Sequence, residues 1–92
     1  MNRAIVIGRM HVRDQAKMHS YKVEVAQTLA RFDAQVIVRA HQDDGAVDAV
    51  VVIGFPDLAT AHQWHRSPQY QALVPLRNQA ASVTFEFFEE AP

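Results

Sequence analysis

Cysteine is missing from the 92-residue chain. That excludes disulfide cross-links and thiolate metal sites, and it fits a reducing compartment. Glycine is scarce: Gly8, Gly45 and Gly54 stand alone, so no glycine-rich phosphate loop can form. Neither sign of charge dominates. Nine Lys and Arg against ten Asp and Glu leave a formal net charge of −1, and without a basic run nucleic acid is not an expected partner. Long apolar runs are absent as well. The longest runs from Ala49 to Phe55, far below the roughly 20 residues that span a bilayer. Met1-Asn2-Arg3 leads straight into a strand-like segment without the apolar core of a signal peptide. The expectation is a soluble, cytoplasmic protein with no membrane partner.

What the chain has in quantity is apolar surface, 49% of its residues. The length suits one domain spanning residues 1–92. Folding at this size buries only about 60–65% of the surface that the extended chain exposes. A lone domain would struggle to cover so many apolar residues, so a second copy of the chain is the expected partner.

Periodicity divides the chain into six main elements. Arg3 to Val12 alternates as a strand. Asp14 is a good helix cap, and Met18, Tyr21, Val25, Leu29 and Phe32 recur at three- and four-residue steps along a helix over Gln15 to Phe32. Ala34 to His41 reads as a second strand, Gln42-Asp43-Asp44-Gly45 as a hairpin turn, and Val47 to Phe55 as a third strand suited to burial on both faces. Pro56-Asp57 opens a second helix with Leu58, Ala61, Trp64 and His65 along its inner stripe. Ser67-Pro68 restarts a short helical segment that presents Tyr70, Leu73 or Val74, and Arg77, with Pro75 distorting it. Ser82 to Glu89 alternates, with Val83, Phe85 and Phe87 on one face and Ser82, Thr84, Glu86 and Phe88 on the other.

The order βαββαβ predicts an α+β, ferredoxin-like domain, a four-stranded antiparallel sheet in the order 4-1-3-2 with both helices on one face. The other face is left bare, although Ile5, Ile7 and Ile37 must go somewhere. The cheapest cover is an identical sheet related by a two-fold axis.

The stretch FPDLATAHQWHRSPQYQALVPLR carries Phe55, Pro56, Ala61, Trp64, Ser67, Pro68, Tyr70, Leu73 and Arg77 at fixed spacing. Upstream stand Asp14, Tyr21 and the pair Val38-Arg39. Together they resemble the signature of the family catalogued as domain of unknown function thirteen-thirty. The chain departs from that signature in three places: Asp33-Ala34 stands where the family usually has Gly-Gly, Ala40 where it has Gly, and His65 where Tyr is common. The resemblance implies a dimeric α+β barrel, two sheets facing each other around a small cavity. It implies little about chemistry, because related barrels include cofactor-free oxygenases, isomerases, haem-handling proteins and plain binders.

Arg39 is the leading ligand-binding candidate. On uninterrupted alternation it shares a face with Gln35, Ile37 and His41, where a guanidinium fork would recognise a carboxylate or enolate. The alternative is a structural ion pair with an acidic residue such as Glu86, within the chain or across a dimer. Tyr21, Trp64, Tyr70 and Arg77 are either pocket residues or core residues that send one polar tip to a partner. His62 and His65 are spaced for two metal ligands on a helix, but no third ligand completes a set, and no metal or cofactor is expected. His19 reads as a surface residue. His11 and His65 are the weak candidates for acid–base catalysis, with no carboxylate evident to orient either ring.

One likeness remains. VIGRMH (6–11) and VIVRAH (36–41) share Val-Ile-x-Arg-x-His. The expectation is that their histidines lie at opposite ends of the sheet and that Arg9 and Arg39 point into one inter-sheet space. The functional expectation is a homodimer binding a small anionic or aromatic molecule between the sheets and the second helix. The alternatives are a cofactor-independent isomerase or oxygenase in the same cavity and a dimerisation module without ligand.

Overall fold

The structure is a computed structural model that describes residues 3–43 and 48–91. Its elements are β1 (Ala4–Val12), α1 (Gln15–Ala30), β2 (Gln35–His41), β3 (Asp48–Phe55), α2 (Leu58–Arg66), α3 (Pro68–Gln71), α4 (Val74–Ala80) and β4 (Ala81–Glu89). The four strands form one antiparallel sheet in the order β2-β3-β1-β4, the ferredoxin-like arrangement expected. The hairpin turn expected at 42–45 falls partly outside the described residues, as does Val47, the first residue of the expected third strand.

Local chemistry starts the helices where the sequence signals them. Asp14 accepts from the Lys17 amide at 3.0 Å, and Asp57 accepts from the Thr60 amide at 2.7 Å. Ser67 accepts from the Tyr70 amide at 3.2 Å while donating to the Trp64 carbonyl at 2.7 Å. Each satisfies a first-turn donor that has no intrahelical partner. Pro75 does not distort a continuing segment. It sits in the first turn of a separate helix, α4, where its missing N–H costs nothing.

α1 stops at Ala30, two residues short of the expected end, and the chain turns through Asp33 at φ 54°. This is the left-handed conformation in which glycine is least strained, at one of the positions where the family signature has glycine. Asp tolerates it better than most side chains, at a cost. Asp33→Gly should therefore raise stability by about 0.5–1 kcal/mol, read as a higher midpoint of urea unfolding. A lower midpoint would show that the aspartate side chain contributes more than its strain costs.

The helices cover one face of the sheet. Ala4, Val6, Ile53 and Phe55 are buried there against Met18, Tyr21, Val25 and Leu29 of α1, Ala61 and Trp64 of α2, and Tyr70 of α3. Val83, Phe85 and Phe87 of β4 join them, as alternation predicts. The opposite face is open in the single chain. The Val50–Ile53 run is thus covered by helices on one side only, and Ile37, Val38 and Phe88 are 49%, 45% and 44% exposed.

A one-residue slip in β2 overturns part of the expected pattern. Val36 pairs with Ile53 but Val38 pairs with Val52, which leaves Ile37 as an extra residue, a β-bulge. The slip reverses the facing of everything after it. Arg39, opposite Val51, and His41, opposite Ala49, lie on the helix side, while Gln35 and Ile37 stay on the open side. Arg9, opposite Val50 and Thr84, is on the open face, so the two arginines do not share a space.

The expected separation of the histidines is corrected too. β1 and β2 each run antiparallel to β3, so they run parallel to one another. His11 opposite Asp48 and His41 opposite Ala49 consequently sit at the same end of the sheet, on opposite faces.

Candidate functional site

Between α1 and the helix side of the sheet lies a cavity of about 280 Å³. Its inner wall is apolar and buried: Met18, Tyr21, Val25 and Leu29 from α1, Ile53 from β3, and Trp64 from α2. Its mouth is polar and exposed, with Gln15 and Lys22 on α1 and Arg39 and His41 on β2. This cavity is not the one expected between facing sheets and the second helix, which only a second copy of the chain would enclose. The cavity is on the other side of the sheet, walled by the first helix, and α2 contributes only Trp64.

Behind the cavity three of the candidate residues form one chain of hydrogen bonds. Arg77 Nη1 donates to Tyr70 Oη at 3.0 Å, and Tyr70 Oη lies 2.8 Å from Tyr21 Oη. The tyrosines meet edge to face. Tyr70 is fully buried and Tyr21 is 6% exposed. Burial, with Tyr70 beside it, pushes the Tyr21 phenol well above its ordinary range, so Tyr21 is a neutral donor at physiological pH. Arg77 also lies over Phe85, 5.8 Å from the ring centroid, and its Nε is buried without a partner among the described residues. Tyr70 and Arg77 thus stand behind the wall rather than at the mouth of the pocket. Only Tyr21 of the three reaches the cavity.

Trp64 is a wall residue anchored at its polar tip. Its Nε1 donates to Thr28 Oγ1 at 2.9 Å, and Thr28 Oγ1 in turn donates to the Val25 carbonyl at 2.8 Å. Thr28 was not among the candidates, although a polar residue seven positions after Tyr21 on the buried stripe was a legible signal for a partner to the lone tryptophan.

The histidines separate. His65 does not line the cavity; it packs among Trp64, Tyr70, Phe85 and Phe87. Partial burial, then Arg77 and His62, hold its imidazole below the ordinary value. His62 stacks on Phe87 with ring centroids 4.5 Å apart, and no group of three or more potential metal ligands is present among the described residues. His11 is on the open face, where its Nδ1 meets Asp48 Oδ1 at 2.7 Å. The carboxylate missing from the sequence reading is therefore Asp48, brought alongside by strand pairing. The expected alternative partner for Arg39, Glu86, is instead engaged by Arg9 Nε at 2.7 Å.

Residues 3–91 match the model of a family described as domain of unknown function (DUF1330). No curated protein matches the chain. Among solved structures it is similar to SnoaB, a cofactor-independent oxygenase from Streptomyces nogalater, at 13% identity and TM-score 0.80, covering 100% of this chain and 96% of that one. A protein of unknown function from Rhodopseudomonas palustris is similar at 15% identity and TM-score 0.74, covering 99% and 84%. An uncharacterized NIPSNAP domain protein from Burkholderia xenovorans is similar at 16% identity and TM-score 0.70, covering 96% and 94%. At these identities the likeness establishes the fold. No helix among the described residues is long and apolar enough to cross a membrane.

Proposed function

The chain belongs to the DUF1330 family, and from that premise we propose that it binds a small organic molecule in the cavity between α1 and the sheet, as a homodimer joined through the open sheet face. The observation that carries the reading is the apolar cavity wall with Tyr21 in it, the residue whose hydroxyl is paired with Tyr70 and, through Tyr70, with Arg77. An apolar hollow with a few convergent polar groups is the usual form of a ligand site. Either hydroxyl can donate in the Tyr21–Tyr70 pair; with Arg77 donating to Tyr70, the polarity in which Tyr70 donates to Tyr21 frees the Tyr21 proton for a guest. In that polarity the guanidinium strengthens each hydrogen bond down the line. The favoured guest presents a carbonyl or similar oxygen to Tyr21.

Trp64 lines the cavity, so its fluorescence reports occupancy. Titration with 4-hydroxyacetophenone, a one-ring ketone, should give a saturable change. Tyr21→Phe should weaken that binding about tenfold, the worth of one buried hydrogen bond, because the fold keeps the Arg77–Tyr70 bond. A wild-type protein that shows no saturable change, and that carries no retained molecule by native mass spectrometry after purification from its own cells, is a dimerisation module without ligand.

A second reading has the same residues behind it. A neutral phenol backed by an arginine can stabilise a developing enolate, which suits a cofactor-independent isomerase or oxygenase, and SnoaB offers a precedent on this fold. Catalysis would then centre on Tyr21. Turnover of keto or phenolic substrates that survives Tyr21→Phe unchanged would exclude that role. His11 and His65 are poorly placed for chemistry in this cavity, since neither lines it.

A further inference from the structure

The cavity is chemically polarised from end to end. Every buried side chain on its wall is apolar or aromatic, while its exposed rim carries Lys22 and Arg39, with Gln15 and His41. No carboxylate lines it among the described residues, although the chain as a whole has more acidic than basic residues. Two exposed cations line the cavity, one from α1 and one from β2, and make an anion-attracting rim over an apolar interior. The β-bulge is what creates it: without the extra residue at Ile37, alternation would aim Arg39 at the open face.

Volume sets the size of the guest. A dry apolar cavity of about 150 Å³ admits benzene, and this one is close to twice that, at about 280 Å³. On that scale it has room for one ring and a short side arm. Resting on the reading of this cavity as a ligand site, we infer that the ligand is a single-ring aromatic carboxylate. Its acid group lies at the rim between Lys22 and Arg39, and an oxygen at the far end of its ring lies at Tyr21. The ring fills the Met18–Leu29 wall. The rim charges are exposed, so their contribution is Coulombic, screened by salt, and felt by the anion alone.

The test compares 3-(4-hydroxyphenyl)propanoate with its primary amide by calorimetric titration of the purified protein. The pair share ring, arm length and phenol oxygen and differ in charge. The acid should bind at least about tenfold more tightly at low ionic strength, with the advantage shrinking at high salt. In Arg39→Gln and in Lys22→Gln the acid should lose most of that advantage while the amide binds as before. Both substitutions fall at exposed positions, so an unchanged thermal midpoint should accompany them. Equal affinity for acid and amide, or an advantage untouched by both substitutions, overturns the carboxylate inference while leaving the cavity as a ligand site. If neither compound binds but 4-hydroxyacetophenone does, the inference again fails and the ligand-site reading stands. If none of the three binds, both fall together.

Discussion

Trp64→Ala is expected to be the most destabilising single substitution in this chain, costing about 3–5 kcal/mol. Trp64 is fully buried. It packs against Phe55, Tyr70 and Phe85 at ring-centroid separations of 5.5, 4.4 and 5.8 Å. Its indole N–H satisfies Thr28, and it forms part of the cavity wall. Truncation would remove the apolar contacts, leave a void continuous with the existing cavity, and strand the Thr28 hydroxyl with one partner fewer. A domain of this length has a total stability of about 5–14 kcal/mol, so the loss is a large fraction of the whole. The thermal midpoint should fall by tens of degrees at about 4–8 °C per kcal/mol, measured by circular dichroism. Val23→Ala, at a position 49% exposed on α1, is the control and should shift stability by less than about 0.5 kcal/mol. A Trp64→Ala variant within 1 kcal/mol of the parent, on the same order as that control, would show that the core is not organised around this ring.

The second large effect concerns assembly. Val52 sits mid-strand on the open face, opposite Ile7 and Val38, amid the apolar surface that includes Ile37 and Phe88. In the proposed two-fold dimer each copy of Val52 faces the partner sheet, so Val52→Asp would bury two unpaired carboxylates at one interface. At about 1–3 kcal/mol for each of the two poorly compensated polar groups, dimer affinity should fall by roughly 30-fold or more. Sedimentation velocity at micromolar concentration should show a dimer for the parent chain and a monomer for the variant, with circular dichroism unchanged. A monomeric parent would contradict the dimer directly, and a variant that remains dimeric would place the interface elsewhere.

How far the sequence could be read depended on the range of the interaction involved. The caps at Asp14, Asp57 and Ser67 were legible because each acts within three residues. The buried stripe Met18–Tyr21–Val25–Leu29 and the Val83–Phe85–Phe87 face were legible because regular periods dictate them. The family signature covered Tyr21, Trp64, Tyr70 and Arg77, but not that three of them form one hydrogen-bonded line, which depends on α1 packing beside α3 and α4. Strict alternation puts Arg39 on the open face, and the register shift puts it on the other. The bulge at Ile37 has no glycine or proline to announce it, and one extra residue inverts the pattern after it. The shared histidine motif misled for a related reason. Two strands separated by a third run parallel, and alternation within each strand carries no information about that. Asp48 beside His11 was invisible because cross-strand partners follow from register alone.

The proposed ligand cavity lies between α1 and the sheet, not between two facing sheets. Methyl-resolved NMR during titration with 4-hydroxyacetophenone tests it most directly, because the two locations have different methyl groups. Met10, Met18, Val25 and Leu29 line the cavity, whereas Ile5, Ile7 and Ile37 belong to the opposite face of the sheet. Binding beneath α1 should give saturable shifts in the first group with Ile5, Ile7 and Ile37 unmoved. Shifts confined to those three isoleucines, with the α1 methyls silent, would contradict it.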